Sequence, residues 1–423
     1  MSSAYFRKVH HTIKCAHTRE YISATANGDL DRPQLAVVQY IPLDNEKPQP
    51  GDVTFIATHA NGFPKELYEP LWDEIHKRSA QHKFRIRGIW IADVWNQGQS
   101  GVLNEGVLGN DPSWWDHARD LLNLINQKQD QMPHPLVGIG HSFGATQLTM
   151  LSLLHPRLLT SLVLMDPVMQ LPNAGVRPAI PSTHRRDIWP SRSEASAKFH
   201  GNKFYQAWDP RVLELWIEHG LRDLPTSLFP KTGEKDERVT LTTSKHQELF
   251  TFLRPTYNHV SKAEVGSLRD KDPILDEEFG KDWPFYRSEP LAVFKRLPEV
   301  RPSVLYIFGG TSDLSTPELR KAKMEITGAG VGGSGGAKEG RVKEVVLEGT
   351  GHLVAMERVG DCADGISTFL GGELGRWREE RRDFEEKWVR GVQGLDKVTI
   401  GDRWKNEITP VSMRKEKKAK AKI

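Results

Sequence analysis

The chain has 423 residues, with 58 Lys and Arg against 55 Asp and Glu and a formal net charge of +3 at pH 7. This charge is small, and no basic stripe with interleaved aromatic residues runs through the body of the chain, so a nucleic-acid-binding platform is disfavoured. The two cysteines, Cys15 and Cys362, have no metal-ligand spacing and favour a reducing compartment.

The length suits a large single domain with insertions, or two domains. No apolar run approaches the length of a membrane span. The N-terminal residues lack the apolar stretch of a secretory signal, so we expect none.

The first elements predicted along the chain are two strands, residues 12–21 and 35–40, paired antiparallel and joined by a polar loop. Strand-like and helix-like segments then alternate as far as residue 165. The predicted strands are 53–58, 85–92, 136–139 and 161–165, and the predicted helices are 66–77 and 114–127. This alternation indicates an α/β protein whose mostly parallel sheet is covered by helices on both faces.

The regular alternation stops at Asp166-Pro167, and strand-like segments return at residues 303–308 and 342–347. We therefore expect a sheet domain built from two parts of the chain, with an inserted cap between them and a basic tail after them. The predicted boundaries are 1–167 for the first part, 168–301 for the cap, 302–395 for the second part and 396–423 for the tail.

The predicted cap is rich in aromatic residues, which could line an apolar pocket or form the cap's own core. These residues are Trp189, Trp208, Trp216, Phe229, Tyr257 and Trp283. A glycine-rich stretch further on, residues 328–340, is predicted to be a solvated loop. It is not a phosphate-binding loop, because no G-K-[ST] ends it.

Residues 140–144 read G-H-S-F-G, the G-x-S-x-G pattern of a nucleophile elbow. The residues before it are strand-like and residues 145–154 have helical spacing, which is the strand–turn–helix context that the motif needs. The turn strains the serine backbone and leaves room only for small residues two positions before and after it, where Gly140 and Gly144 stand. The pattern therefore predicts Ser142 as an exposed nucleophile.

A serine hydroxyl needs a base to take its proton, and in folds with this motif the base is a histidine that follows the acid in the chain. His352 follows the last predicted strand in a glycine-rich stretch and is the predicted base. Two carboxylates follow predicted strands, and both are candidates for the acid that orients the imidazole. Asp313 is preferred as the acid, and Asp166 is the alternative acid.

The oxyanion of a tetrahedral intermediate needs two backbone N–H donors. One is expected from Phe143, the residue after the nucleophile. The other is expected from the loop after residues 53–58, with Asn61 preferred and Gly62 as the fallback. A plain turn capped by Asn61 is the alternative interpretation. His141 is expected to turn its side chain away from the site.

In chain order, the motifs H-x-N-G, D-x-x-x-Q-G-Q-S, G-H-S-F-G, G-x-x-D and G-H resemble the α/β-hydrolase superfamily over roughly residues 30–170 and 300–370. The resemblance implies the α/β-hydrolase fold with an inserted cap, and a structural role for the loop 93–101. More narrowly, residues 59–72, H-A-N-G-F-P-K-E-L-Y-E-P-L-W, resemble fungal hydrolases of toxin-biosynthesis clusters, which are similar to the yeast peroxisomal lipase. Ala60 departs from the superfamily's usual glycine after the histidine.

Together these residues predict a serine hydrolase that cleaves a carboxylic ester or thioester of an apolar acyl chain through an acyl-enzyme. The narrower resemblance places this activity in fungal secondary metabolism. Two alternatives stay open: an acyltransferase that uses the same triad, and a non-catalytic α/β-hydrolase shell that binds a ligand. The chemistry needs no cofactor and no metal, and the expected partner is a small-molecule acyl substrate.

The last three residues, Ala421-Lys422-Ile423, resemble the S-K-L type of peroxisomal address and follow a basic tract. We therefore expect a peroxisomal import receptor as a partner and the peroxisome as the location, with the cytoplasm as the alternative.

Overall fold

A computed structural model describes residues 4–170, 175–231, 236–255 and 285–408 of the chain. The chain divides into two units, Met1–Glu373 and Leu374–Ile423. The site discussed below lies in the first unit. The predicted peroxisomal address, Ala421-Lys422-Ile423, lies outside the described residues, as do Tyr257 and Trp283 of the predicted cap.

Thirteen strands occur in the described residues. They are β1 (Phe6–Lys14), β2 (Gln34–Pro42), β3 (Val53–Thr58), β4 (Ile86–Ala92), β5 (Leu136–His141), β6 (Ser161–Met165), β7 (Ile188–Trp189), β8 (Leu221–Asp223), β9 (Val239–Leu241), β10 (Arg254–Pro255), β11 (Phe285–Tyr286), β12 (Ser303–Gly309) and β13 (Val342–Leu347).

Fourteen α-helices occur in the same residues. They are α1 (Glu69–Ser79), α2 (Gly98–Leu103), α3 (Trp114–Gln127), α4 (Phe143–Leu154), α5 (Val176–His184), α6 (Arg192–His200), α7 (Lys203–Gln206), α8 (Pro210–His219), α9 (Lys245–Phe252), α10 (Glu289–Arg296), α11 (Pro317–Ile326), α12 (Val354–Glu357), α13 (Val359–Phe384) and α14 (Asp402–Ile408). Helix α13 begins in the first unit and ends in the second, and α14 belongs to the second.

Eight strands form one sheet in the order β1-β2-β4-β3-β5-β6-β12-β13. Strands β1, β2 and β4 pair antiparallel, and every pairing from β4 to β13 is parallel. The mostly parallel sheet predicted from the sequence is therefore confirmed, together with its antiparallel start. The bounds of the first strand were predicted wrongly, because it runs over Phe6–Lys14 instead of residues 12–21.

The interior strands explain why their sequences are apolar without a break. Every residue of β3, β5, β6 and β12 is buried, as expected for parallel strands with both faces covered. Helix α3 packs against α4, and α4 packs against β5. The hydrophobic positions of α3, including Leu121, Leu124 and Ile125, join the main apolar core. This packing fixes the carboxyl ends of the central strands, where the site lies.

The chain between β6 and β12 is an insertion in the sheet order, because these two strands are neighbours. Its described residues contain α5 to α10 and two small antiparallel sheets, one of three strands and one of two. Trp189, Trp208 and Trp216 are buried within it, and Phe229 is half-buried. The insertion therefore has an aromatic core of its own.

Candidate active site

Ser142 stands on a sharp turn between β5 and α4. Its backbone has φ +59° and ψ −126°, a conformation that residues other than glycine rarely adopt. Its N–H donates to the carbonyl of Met165 at 2.9 Å, which ties the turn to β6. A Cβ on Gly144 would lie 2.5 Å from the carbonyl oxygen of His59, and one on Gly140 would lie 2.8 Å from the backbone nitrogen of Ala145. Both glycines are therefore required by the close approach of backbone.

The imidazole of His352 bridges the serine and a carboxylate. His352 lies in the loop after β13, and its Nε2 is 2.8 Å from Ser142 Oγ. Its Nδ1 is 2.6 Å from Asp166 Oδ2. Because an ionised carboxylate only accepts, Nδ1 carries the proton and Nε2 is the acceptor for the serine hydroxyl. The geometry brings Ser142, His352 and Asp166 together as one hydrogen-bonded array.

Asp166 is fully buried at the end of β6, with φ +40°. Besides His352, its carboxylate accepts hydrogen bonds from Gly309 N–H at 3.1 Å, Ser312 Oγ at 2.6 Å and Ser315 Oγ. Burial would raise the pKa of Asp166, but the hydrogen bonds from His352 and the two serines outweigh burial and hold that pKa below its usual value. The carboxylate is therefore kept ionised in a dry site.

The preference for Asp313 as the partner of His352 is a prediction that the geometry corrects. The Asp313 side chain is half exposed and forms an ion pair with Arg177 at 2.9 Å. After β12 the chain turns so that Ser312 and Ser315 point inward to Asp166. Asp313 and its partner Arg177 lie instead in the wall of the cavity described below. The alternative acid, Asp166, occupies the position beside the imidazole.

Lys323 supports the turn after β12, a role that no sequence pattern indicated. Its side chain is fully buried, and its Nζ donates to the carbonyl of Leu314 at 3.0 Å. Burial lowers the pKa of Lys323 to about 8, while the charge of Asp166 opposes that shift. The ammonium thus lies under the turn that carries both serine donors.

The loop after β3 was expected to supply the second oxyanion donor. The side chain of Asn61 is fixed on both sides, since its Nδ2 donates to Glu248 O at 3.0 Å and its Oδ1 accepts from Gln97 Nε2 at 2.7 Å. Among the described residues, the backbone N–H of Asn61 donates to no backbone acceptor. The fallback Gly62 is excluded, because its N–H already donates to Gln97 Oε1 at 2.8 Å.

Phe143 is the first residue of α4, so its N–H has no partner within the helix. Phe143, Asn61, Ser142 and His352 all line one cavity of 690 Å³. The predicted nucleophile, the predicted base and both residues predicted to donate N–H groups therefore border the same cavity.

The remainder of the cavity wall comes largely from the insertion. The side chains of the whole wall are mainly aromatic and aliphatic. They include Val168, Phe204, Tyr205, Trp216 and Phe252 from the insertion, and Phe63 and Leu314 from the sheet domain. Arg185 and Glu248 form an ion pair in the same wall. Burial raises the pKa of Glu248 against the opposing charge of Arg185. The cavity is thus mostly apolar, with a buried ion pair, Arg185–Glu248, and a more exposed one, Arg177–Asp313, in its wall. Of the predicted cap aromatics, Trp216 lines it, whereas Trp189 and Trp208 do not.

The loop 93–101 is hydrogen-bonded to the loop after β3 that carries Asn61, here called the predicted oxyanion loop. Asp93 accepts hydrogen bonds from the Nζ and backbone N–H of Lys65, at 2.7 and 2.9 Å, and from Gln99 N–H at 2.8 Å. Burial would raise the pKa of Asp93, but the charges of Lys65 and His59, together with the hydrogen bonds from Lys65, outweigh burial and lower that pKa. His59 Nε2 accepts from the N–H of Val94 at 2.9 Å, which adds a second tie between the two loops.

His141 does not line the cavity, as expected for a side chain turned away from the serine. Its ring nevertheless reaches the backbone of His352, because its Nε2 lies 3.0 Å from the carbonyl oxygen of that residue. Sequence reasoning missed this contact.

The described residues contain no group of three or more His, Cys, Asp or Glu side chains placed to hold a metal ion. In the same part of the chain, no helix has the length and apolar character required to cross a membrane.

Comparison with known proteins agrees with this fold. The model of the alpha/beta hydrolase family matches residues 55–364. The type I acyl-CoA thioesterase mpaH' of Penicillium brevicompactum is 40% identical over an alignment of 450 residues, gaps included, which covers 100% of this chain and 100% of that protein. The abhydrolase domain-containing protein ACTT2-2 of Alternaria alternata is 27% identical over 281 residues, 62% of this chain and 99% of that protein.

Among solved structures, the peroxisomal alpha-beta-hydrolase Lpx1 from Saccharomyces cerevisiae is similar with a TM-score of 0.63 at 18% identity, over 92% of this chain and 99% of that chain. The resemblance inferred from the motifs is thereby confirmed. The chain belongs to the α/β-hydrolase family, and it is an enzyme.

Proposed function

We propose that the protein hydrolyses acyl thioesters, with an acyl-CoA as the substrate class, through an acyl-enzyme on Ser142. One observation carries the chemistry: Ser142, His352 and Asp166 form a continuous hydrogen-bonded array inside a mostly apolar cavity. Family membership supports hydrolysis of an ester or thioester. The thioester is favoured because a relative that matches the full length at 40% identity is named a type I acyl-CoA thioesterase.

In the proposed reaction, Ser142 Oγ attacks the thioester carbonyl carbon while His352 Nε2 takes the hydroxyl proton. The carbon–sulfur bond breaks as the tetrahedral intermediate collapses, and the thiolate leaves with the proton that His352 returns. A water molecule then attacks the acyl-enzyme, with His352 again as the base, and releases the free acid. Asp166 holds the imidazole in the Nδ1–H tautomer and stabilises its charged form.

The N–H groups of Phe143 and Asn61 are proposed to bind the oxyanion. Phe143 follows the nucleophile at the start of α4, and Asn61 lies across the cavity on the loop after β3. The side-chain bonds of Asn61 to Gln97 and Glu248 hold this loop in place before substrate arrives. Such preorganised donors need no rearrangement as charge develops on the oxygen.

The substrate's acyl group is proposed to lie against the insertion, which acts as a cap over the sheet. Phe63 packs edge-on against Trp216, at 5.8 Å between ring centroids, and both line the cavity. Aromatic walls of this kind bury apolar ligand surface. We therefore expect medium or long apolar acyl chains to be better substrates than acetyl.

The test is hydrolysis of a panel of acyl-CoA thioesters and matched oxyesters, with the released thiol measured by a chromogenic disulfide reagent. Wild type should hydrolyse apolar acyl-CoA, and Ser142→Ala should lose on the order of 10⁶ in kcat. A fluorophosphonate probe should label wild type at Ser142 and leave Ser142→Ala unlabelled. Wild type that is labelled but cleaves only oxyesters would overturn the thioesterase proposal, and labelling at another serine would overturn the nucleophile.

We further propose that the protein acts in fungal secondary metabolism inside the peroxisome. The metabolic role is supported by the resemblance of residues 59–72 to fungal hydrolases of toxin-biosynthesis clusters. The location is supported by the Ala421-Lys422-Ile423 ending, which belongs to the small–basic–aliphatic class that import receptors bind. A fluorescent protein fused to the N-terminus of the chain, which leaves Ala421-Lys422-Ile423 at a free C-terminus, should overlap a peroxisomal marker. Removal of these three residues should leave the fusion diffuse. A diffuse intact fusion would refute the location without affecting the catalytic proposal.

A further inference from the structure

Two buried residues outside the cavity wall link the three loops of the site. Tyr68 lies in the segment 59–72 that carried the narrower family resemblance, and His141 precedes the nucleophile. Both side chains are fully buried, and neither lines the cavity. Neither residue has a role in the mechanism above.

Three hydrogen bonds through these two residues form a continuous series. The N–H of Ala60 lies 2.8 Å from Tyr68 Oη. Tyr68 Oη lies 2.9 Å from His141 Nδ1, and His141 Nε2 lies 3.0 Å from the carbonyl oxygen of His352. The chain of bonds therefore starts one residue before Asn61 and ends on the residue that supplies the base.

The chemistry of the two ends fixes the direction of the two outer bonds. Ala60 N–H can only donate, and the carbonyl of His352 can only accept. Tyr68 therefore accepts from Ala60, and His141 donates from Nε2. Tyr68 can donate to His141 Nδ1 only if that nitrogen carries no proton, that is, if His141 is neutral. Burial, with a smaller contribution from the charge of His352, lowers the pKa of His141 to about 3, so the neutral form is the one present at neutral pH.

We propose that Tyr68 and His141 are positioning residues that hold the predicted oxyanion loop and the His352 loop in register with the nucleophile. The inference rests on the proposed serine mechanism but not on which acyl substrate it uses. Tyr68 reaches the predicted oxyanion loop from the turn before α1, and His141 ends β5 next to Ser142. A single relay thus connects the residue before Asn61 and the residue before Ser142 to the residue that supplies the base.

The loop that carries His352 needs such an anchor. Gly349 has φ +71°, and a Cβ built on Gly349 or Gly351 would meet nothing within 4 Å, so this loop has open space at two side-chain positions, although the Gly351 backbone lies close to Gly309. A backbone bond from Thr311 N–H to the Thr350 carbonyl, at 3.0 Å, holds one side of the loop. His141 holds the other side, at the residue whose ring must meet Ser142.

The test compares Tyr68→Phe with Tyr306→Phe as a matched control. Each variant loses one buried hydroxyl that has a hydrogen-bond partner, because Tyr306 Oη lies 2.8 Å from Thr327 Oγ1, outside the relay. Tyr68→Phe should lower kcat by about 10- to 100-fold with KM within about twofold, since small misplacement of reacting groups has effects of that size. The second-order rate of fluorophosphonate labelling at Ser142 should fall by the same factor.

A second pair of variants covers the case in which Tyr68→Phe fails to fold. His141→Gln keeps an amide donor for the His352 carbonyl and an acceptor for Tyr68, whereas His141→Leu keeps neither. The glutamine variant should label at least tenfold faster than the leucine variant. Equal labelling rates of these two, or an effect of Tyr68→Phe no larger than that of Tyr306→Phe, would overturn the relay. Labelling is independent of the thioester, so a protein that labels normally but cleaves no thioester would refute only the proposed function.

Discussion

The exchange of Asp166 for asparagine is the sharpest test of the site, because it changes one atom in a fully described hydrogen-bond network. The two carboxylate oxygens have different partners. Oδ1 accepts from Gly309 N–H and Ser315, and Oδ2 accepts from Ser312 and His352 Nδ1. The amide nitrogen of asparagine must replace one of these oxygens.

The partners decide which oxygen is replaced. Gly309 N–H cannot accept a hydrogen bond, so the amide nitrogen is excluded from the Oδ1 position. At the Oδ2 position, Ser312 can rotate its hydroxyl to accept, and His352 can accept only if Nδ1 loses its proton. The proton then moves to Nε2 and faces Ser142 Oγ as a donor. The imidazole can no longer take the serine proton.

An imidazole locked in this tautomer lowers kcat by about 10⁴-fold in a serine protease with the analogous change, which corresponds to about 5.4 kcal/mol in activation free energy. We expect a loss of that size for Asp166→Asn. Asp313→Asn should change kcat by no more than a few fold, because its half-exposed ion pair with Arg177 contributes about 0–1 kcal/mol.

The assay is kcat for the best acyl-CoA of the panel, together with the rate of probe labelling at Ser142. Circular dichroism and the unfolding midpoint of each variant show that any loss is not one of folding. A loss of three or more powers of ten in Asp313→Asn would refute the reasoning. Activity of Asp166→Asn within tenfold of wild type would also refute it.

Two further predictions concern stability. Gly144→Ala would bring a Cβ to 2.5 Å from the backbone oxygen of His59 and should lower the free energy of unfolding by about 1–3 kcal/mol in urea titration, whereas Gly372→Ala, with open space around the new Cβ, should not lower it. The pKa of Asp166 in the folded protein lies below its unfolded value of about 3.9. The ionised carboxylate therefore stabilises the folded protein above about pH 4, and this stabilisation is lost as the pH falls through the folded pKa. The melting temperature of wild type should therefore fall more steeply than that of Asp166→Asn below about pH 4, and parallel profiles would contradict the low pKa.

The central sheet could be predicted because its strands have a simple physical signature. Residues of β3, β5, β6 and β12 are buried on both faces, so their sequences are apolar without alternation. The first strand was misplaced because only two of its nine residues, Phe6 and Ile13, are buried, so it has no apolar run, and charged residues such as Arg7 and Lys8 obscure it.

The site was predictable where a residue's neighbours in sequence determine its place. Ser142 and its flanking glycines are defined by the elbow itself, and His352 follows from chain order and a glycine-rich loop. Tyr68, His141 and Lys323 were not predictable as parts of the site, because their partners lie far away in sequence. Their roles depend on which loops the sheet brings together, and single-residue patterns do not contain that information.

The choice between Asp166 and Asp313 shows this limit most clearly. Strands β6 and β12 are neighbours in the sheet, so the loops after them reach the same imidazole. Either loop can present a carboxylate to His352, and chain order is Ser, Asp, His in both cases. What distinguishes them is the Ser312 and Ser315 pair, whose hydroxyls both donate to Asp166. The loop after β12 therefore supplies hydrogen-bond donors in place of the acid. A carboxylate at the end of β6 opposite two serines three residues apart after β12 is a sequence pattern that would predict the same arrangement in other chains.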